Sequence, residues 1–340
     1  MRQRLFNTNF MNALTSFLAC LAALLLALFA WSLWGQWRIE RSHPPTGRFI
    51  TVQGVRLHYV EVGEGPPVVL VHGASSNLNE FTRSLMPALA TRFRVIAFDR
   101  PGYGYSERPD ESDGWLDPGR LADLLLSAAE TLGAERPLLL GHSWGGSVVM
   151  AAQVNHPDRI AGGVMLSGVA GHWAGPLGWT YQLGEIPVLG PLFAWTLVYP
   201  LGQFLLEDGV REVLAPATPA PGHLERTAVA LALRPGSYLT NVRDTNSLSE
   251  YLQLLSPRYD TIRHPLLLIH GEADNLVPWW NHGRRVLPVV AHSEAVLLPD
   301  AGHAPHHSHT REVADQIVRF YTRLLARHET PAPRLAQCLP

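Results

Sequence analysis

The chain has 340 residues, 46% of them hydrophobic, enough to bury a full core as one large domain or two smaller ones. Its formal net charge of -2 carries no electrostatic signature of nucleic-acid binding, and no nucleic-acid partner is expected. All 27 basic side chains are arginines, which excludes Schiff-base chemistry and a Walker-type phosphate lysine; the two cysteines, Cys20 and Cys338, lie at opposite ends and supply neither a disulfide framework nor a cysteine-based zinc site.

No charged residue falls between Arg4 and Arg38, and residues 11–34, "MNALTSFLACLAALLLALFAWSLW", are almost wholly apolar. As a helix this run spans about 36 Å, against about 30 Å for a bilayer core. Trp31, Trp34 and Trp37 recur turn by turn where an interfacial aromatic belt would sit. A cleaved signal peptide has a shorter apolar core, about 7–15 residues, and small residues at its end. The expectation is therefore a retained single-pass anchor, with the folded domain outside the cytoplasm. The arginines on the two sides, Arg2 and Arg4 against Arg38, Arg41 and Arg48, set that orientation only weakly. Residues 38–47 read as a polar linker, so anchor and linker together take residues 1–47.

Beyond the linker, strand-like runs are predicted at 49–52, 55–62, 68–72, 94–98, 138–141, 163–166, 266–270 and 295–298. Several are continuous apolar runs, as parallel strands covered on both faces require. Helical patterns lie between them at 79–89, 118–132, 146–155, 283–287 and 310–327. This alternation predicts an α/β fold, a mostly parallel eight-stranded sheet with helices on both faces and an antiparallel start. Residues 171–261 break the alternation: about ninety residues without a convincing strand, rich in Pro, Gly, Trp and Leu. A structureless loop of that length is improbable, so a helical insertion over the sheet is expected, with a membrane-facing lid and a second membrane span as competing readings. Glu185, Pro187, Pro191 and Pro200 interrupt any such span.

The stretch "LLLGHSWGGSVVMAA", 138–152, contains Gly141-His142-Ser143-Trp144-Gly145, a G-x-S-x-G pattern with a strand before it and a helix after it. That context is what a nucleophile elbow demands: a serine in a strained turn, flanked by Gly141 and Gly145, which lack side chains that would clash. Gly146 lets the helix approach the sheet, and the helix N-terminus aims N–H groups at an anion formed near Ser143. A serine hydroxyl needs a base, and the base an orienting acid. Asp274 follows the strand at 266–270 in "GEADNLVP", and His303 follows the strand at 295–298 in "PDAGHAP". Carboxyl ends of strands in an open α/β sheet share one edge, so these distant residues can converge. After the strand at 68–72, His72-Gly73-Ala74 offers the second half of an oxyanion hole, with backbone donors assigned to Ala74 and Trp144. Gly73 permits the tight backbone there, and His72 is read as fixing the loop by hydrogen bonding.

Over roughly 49–325 the chain resembles the alpha/beta hydrolase fold superfamily, through "VVLVHGASSN", "VIAFDRPGYGYSERP", "LLLGHSWGGSVVMAA", "LLLIHGEADNLVP" and "LPDAGHAPH" in the right order. The resemblance implies Ser143 as nucleophile, Asp274 as acid, His303 as base, oxyanion donors at Ala74 and Trp144, and a cap inserted after the sixth strand. It also makes residues 99–106, "DRPGYGYS", a scaffold that shapes the pocket. The expected organisation is an anchor and linker at 1–47, a hydrolase core at 48–170 and 263–328, a helical cap at 171–262 and a tail at 329–340.

Several positions admit competing assignments. Glu272 rivals Asp274 as the acid, and Asp300 reads as a turn residue. His306, His307 and His309 crowd the His303 loop, yet "HAPHHSH" presents no helical i, i+4 ligand pair from His303 and no cysteine partner, so no metal is expected. Asp99 and Arg100 are read as stabilising their own turn. Trp279, Trp280, Tyr103 and Tyr105 are read as packing residues or pocket walls.

A serine at the elbow argues against haloalkane dehalogenase and epoxide hydrolase chemistry, which in this superfamily uses an aspartate: its ester can be hydrolysed through its own carbonyl, and a serine ether cannot. The expectation is a membrane-anchored serine hydrolase acting on a small-molecule carboxylic ester, hydrophobic or lipid-like, without a cofactor. Its oligomeric state is not legible. A carbon–carbon bond hydrolase, an acyltransferase or a cofactor-free perhydrolase on the same three residues is the alternative enzyme reading, and a non-catalytic ligand-binding protein the alternative class.

Overall fold

The computed structural model describes residues 2–109 and 117–329. In chain order the elements are α1 (Arg2–Ser42), β1 (Arg48–Val52), β2 (Val55–Val62), β3 (Pro67–Val71), α2 (Asn79–Thr82), α3 (Leu85–Leu89), β4 (Arg94–Phe98), α4 (Pro118–Thr131), β5 (Leu138–His142), α5 (Gly145–Asn155) and β6 (Gly162–Leu166). Then come α6 (Trp179–Glu185), α7 (Leu189–Phe193), α8 (Tyr199–Leu214), α9 (His223–Thr227), α10 (Pro235–Leu255), β7 (Leu266–Gly271), α11 (Gly283–Val286), β8 (Ser293–Leu298), α12 (Pro305–Ser308) and α13 (Thr310–Glu329). The eight strands form one sheet in the order β1-β2-β4-β3-β5-β6-β7-β8. β2 pairs antiparallel with β1 and β4, and every later pairing is parallel.

The continuous apolar strands make sense once both faces are covered. Successive side chains point to opposite faces, so Val69, Val71, Leu139, Leu266 and Leu268 enter one core with α4 and α5. Their neighbours Val68, Leu70, Leu138, Leu140, Leu267 and Ile269 enter the other, with α3 and α13. α4 starts with Asp117 capping the N–H of Gly119 at 2.5 Å and Pro118 in its first turn. Val313, Ile317, Phe320, Tyr321 and Leu324 give α13 one buried stripe.

Two local expectations are corrected. The helix predicted at 79–89 is two short helices, because the Ser84 hydroxyl takes the Glu80 carbonyl at 2.5 Å and competes with the backbone ladder. The linker predicted at 38–47 is helical as far as Ser42. Ile39 is buried with Tyr199 and Leu231, Glu40 pairs with Arg234 at 3.2 Å, and Tyr105 donates its hydroxyl to the His43 carbonyl, so tertiary contacts extend the helix. The expected tail at 329–340, including Cys338, lies outside the described residues beyond Glu329.

α1 has 41 residues, about 60 Å of helix, and within it Phe10–Ser42 is long and apolar enough to cross a membrane. Its last turns dock on the insertion: Phe29 meets Trp195 with ring centroids 5.6 Å apart, and Gly35 lies against the Tyr199 ring. Trp31, Trp34 and Trp37 are exposed. The insertion between β6 and β7 is helical, as α6–α10, and the run Leu189–Leu214 has its own apolar character, with Ala194, Thr196, Val198, Tyr199, Val210 and Leu214 buried.

Candidate active site

β3, β5, β7 and β8 run parallel and end at one sheet edge, and the loops that leave them hold the site. At the end of β5 the chain turns sharply, and Ser143 takes φ +51°, a left-handed conformation that a serine adopts only when its surroundings enforce it. The enforcement is close packing. A Cβ on Gly145 would sit 2.3 Å from the Val71 carbonyl oxygen, and one on Gly141 would sit 2.0 Å from the Gly145 oxygen. The Ser143 N–H donates to Leu166 and its carbonyl accepts from Gly146 and Val169, which fixes the turn between β5, α5 and β6.

Ser143 Oγ lies 2.9 Å from His303 Nε2, and His303 Nδ1 lies 2.9 Å from Asp274 Oδ2. All three are buried. An ionised carboxylate only accepts, so the His303 proton sits on Nδ1 and Nε2 is left to accept from the serine hydroxyl. Burial pushes the Asp274 carboxyl up, but donation from His270, His303 and the Val277 N–H outweighs it and holds the group well below the usual carboxylate range. Its Oδ1 accepts from the Leu276 and Val277 N–H groups at 3.0 and 2.9 Å. Glu272, the rival acid, is exposed. Burial, reinforced by the nearby charges of His142 and His270, lowers the His303 pKa against the opposing pull of Asp274, which keeps the imidazole neutral and able to accept a proton.

Ala74 and Trp144 both line the cavity at Ser143, and among the described residues neither backbone N–H donates to a protein acceptor. They remain available to an oxyanion. Gly73 brings this loop against the elbow, where a Cβ would lie 3.0 Å from the Ser143 Cβ. His72 is locked in place: Nδ1 is 2.9 Å from the Gly73 carbonyl, and Nε2 accepts the Arg100 N–H at 3.0 Å. Burial lowers its pKa to about 4, consistent with an uncharged scaffold role.

Several contributors were not legible in the sequence. His142 Nδ1 lies 2.9 Å from Glu80 Oε1 and its Nε2 lies 3.0 Å from the His303 carbonyl oxygen, so both ring nitrogens face acceptors. Burial disfavours its charge, yet the Glu80 carboxylate overrides that and raises its pKa. His270 Nε2 lies 3.3 Å from Asp274 Oδ2 as well as 2.7 Å from the Val277 carbonyl. Arg100 does more than hold its own turn: fully buried, it stacks between Trp144 and Tyr103 at 3.9 and 4.2 Å, donates to the Gly73 carbonyl, and lies 3.6 Å from Asp244. Asp99 instead braces the scaffold through His58, Leu78 and Tyr105. Strand-end position was a signal for His270, whereas Glu80 and Asp244 carry none, since their partners are about 60 to 140 residues away in sequence.

Above the serine lies a cavity of about 940 Å³. Its roof comes from the insertion through Val198, Leu205, Leu206, Val210, Val213 and Leu233, and Trp280 stands at its wall. Trp279 packs on Gly283 instead, and Tyr103 is buried beneath Arg100. No arginine lines the cavity among the described residues.

A family model described as the alpha/beta hydrolase family matches residues 68–316. The chain is 27% identical over 244 residues to 2-hydroxymuconate semialdehyde hydrolase of Pseudomonas sp. (strain CF600), spanning 70% of this chain and 81% of that protein. It is 41% identical to epoxide hydrolase A of Mycobacterium tuberculosis over 125 residues only, 36% of this chain and 38% of the relative. Among solved structures, a membrane phospholipase A, a bacterial virulence factor, has the same fold, with a TM-score of 0.62 at 21% identity over 94% of this chain and 99% of that one.

Proposed function

Because the chain belongs to the alpha/beta hydrolase family, we propose that it is a membrane-anchored serine hydrolase cleaving carboxylic esters with a hydrophobic acyl group. The observation that carries the reading is the unbroken Ser143–His303–Asp274 relay at the base of a largely apolar cavity. Neutral His303 takes the Ser143 proton as Oγ bonds to the ester carbonyl carbon. The Ala74 and Trp144 N–H groups hold the oxyanion, and Asp274 stabilises the imidazolium. The carbon–oxygen bond then breaks as His303 Nε2 protonates the leaving alcohol. Water, deprotonated by His303, releases the acid from Ser143 and restores the hydroxyl.

The apolar roof and the exposed Trp179, Ile186, Leu189, Leu201, Phe204 and Leu205 beside the docked α1 favour a lipid-like substrate that reaches the cap from a bilayer. The relative from Pseudomonas favours a second reading, carbon–carbon bond hydrolysis through the same residues. Its substrate carries the name of a carboxylate, and a cavity without a lining arginine among the described residues, in a chain without lysine, offers no guanidinium or ammonium group to pair with that anion. This weighs toward a neutral ester.

A fluorophosphonate probe tests the nucleophile: it labels the wild type and leaves Ser143→Ala unlabelled, and labelling retained in the variant removes the assignment. A p-nitrophenyl ester series separates the substrate readings. Rates that rise with acyl length support the lipid-like ester, and equal rates from acetate to palmitate contradict it. Alkaline-phosphatase and fluorescent-protein fusions at the C-terminus test the extracytoplasmic placement of the domain.

A further inference from the structure

Beside the relay, three loops bring a second group of side chains together. Glu80 stands at the start of α2 after β3, His142 ends β5, and His306 lies in α12 after β8. Their donor atoms all lie within 4.8 Å of one another. Glu80 Oε1 is 2.9 Å from His142 Nδ1 and 4.0 Å from His306 Nε2. Glu80 and His142 are 5% exposed and His306 is 0% exposed.

His306 is the anomaly. Both ring nitrogens are buried and neither has a hydrogen-bond partner among the described residues, although buried polar groups are almost always paired. Its ring sits 4.5 Å from that of His142, and burial holds it neutral, with a lone pair available. We infer that Glu80, His142 and His306 bind a divalent transition-metal ion of the zinc class.

The surroundings match what metal ligands need. A ligating imidazole normally donates its other nitrogen to a carbonyl or carboxylate, and His142 Nε2 already faces the His303 carbonyl at 3.0 Å. A ligating carboxylate is normally braced by a donor, and the Ser76 hydroxyl donates to Glu80 Oε2 at 2.5 Å. The ion takes the place of the proton on His142 Nδ1, so its bond to His303 survives. Two imidazoles and one carboxylate suit zinc and its first-row neighbours; calcium and magnesium prefer an all-oxygen shell. All three residues line the cavity, which supplies an entry path and a fourth coordination position. The single loop "HAPHHSH" presents no ligand set of its own, whereas this donor set comes from three loops. An ion there would tie together the loops that carry the oxyanion donors, the nucleophile and the base.

The test uses the full chain in detergent, stripped with a chelator and titrated with Zn²⁺ alone by calorimetry and by metal analysis after dialysis. One ion bound per chain, with a raised unfolding midpoint, is the expected result. Glu80→Gln, nearly isosteric, and His306→Ala each weaken binding at least ten-fold, while His309→Ala binds as the wild type does. Circular dichroism checks that the variants are folded. Co²⁺ in place of zinc gives an intense visible spectrum in the wild type that Glu80→Gln loses. No stoichiometric binding, or equal affinity in folded Glu80→Gln and the wild type, overturns the site. Neither result touches fluorophosphonate labelling of Ser143, so failure here is distinct from failure of the hydrolase reading.

Discussion

The main-chain carbonyl of His303 accepts a hydrogen bond from His142 Nε2 at 3.0 Å, and His142 is the residue immediately before Ser143. The base is therefore fastened to the nucleophile's own strand by a contact separate from the Ser143–His303 hydrogen bond. Glu80 orients His142 from the far side at 2.9 Å.

Removing that fastening should misplace the base while leaving the cavity intact. His142→Asn is expected to lower kcat by about 10²-fold with little change in KM, the scale associated with small misplacements of a reacting group. Steady-state kinetics on one ester measures both parameters, and equal losses in each would contradict a positioning role.

Asp274 and Glu272 make opposite predictions. Asp274→Asn deprives His303 of its Nδ1 acceptor and should cost about 10⁴-fold in kcat, whereas Glu272→Gln, at an exposed position, should leave the rate unchanged. Parallel assays of the two variants decide between the carboxylates.

The pH dependence follows from the direction of the His303 shift. Burial, with His142 and His270 acting in the same sense and Asp274 opposing, places the imidazole below its ordinary 6.5. Catalysis needs the neutral form, so the acid limb of kcat/KM should have its midpoint below pH 6.5. His142→Asn removes a nearby positive charge and should move this acid limb upward. A wild-type limb above 6.5 would contradict the assignment.

Arg100 ties the two proposed oxyanion loops together through the Gly73 carbonyl and the Trp144 ring. Arg100→Met removes one guanidinium from the buried Asp244 carboxylate, which keeps Arg108 at 3.1 Å. The expected loss is about 1.5–3 kcal/mol of stability, the scale of a hydrogen bond made by a charged group, here the one to the Gly73 carbonyl, because Asp244 keeps a charged partner. Chemical denaturation measures it, and a loss below about 1 kcal/mol, the range of exposed pairs, would remove the clamp.

Gly35 permits the close approach of α1 to the insertion. A Cβ at this position would fall 2.2 Å from the Tyr199 ring. Gly35→Leu should pry α1 from α8 and raise amide hydrogen exchange in 194–214 without unfolding the sheet. Unchanged exchange there would show that the helix docks without this contact.

Much of the site was legible because its residues announce themselves locally. Gly141, Ser143 and Gly145 fall within five residues, and their spacing follows from one strained turn. Asp274 and His303 follow apolar strands at short distances, and parallel strands bring their ends to one edge. The continuation of α1 to Ser42 was not legible, because polar 38–42 reads as a linker until Arg234, Tyr105 and Leu231 arrive from far along the chain.

The pattern of apolar runs and glycines by itself determined the α/β sheet, the elbow and the order of serine, aspartate and histidine, since each depends on spacing within a few residues. Only the tertiary structure decided that Glu80 orients His142, that Arg100 bridges Gly73 and Trp144, and that His306 is buried without a hydrogen-bond partner among the described residues. Those relations join loops from different strands. A charge or an imidazole acquires its role from what burial places beside it, and primary sequence carries no record of that neighbour.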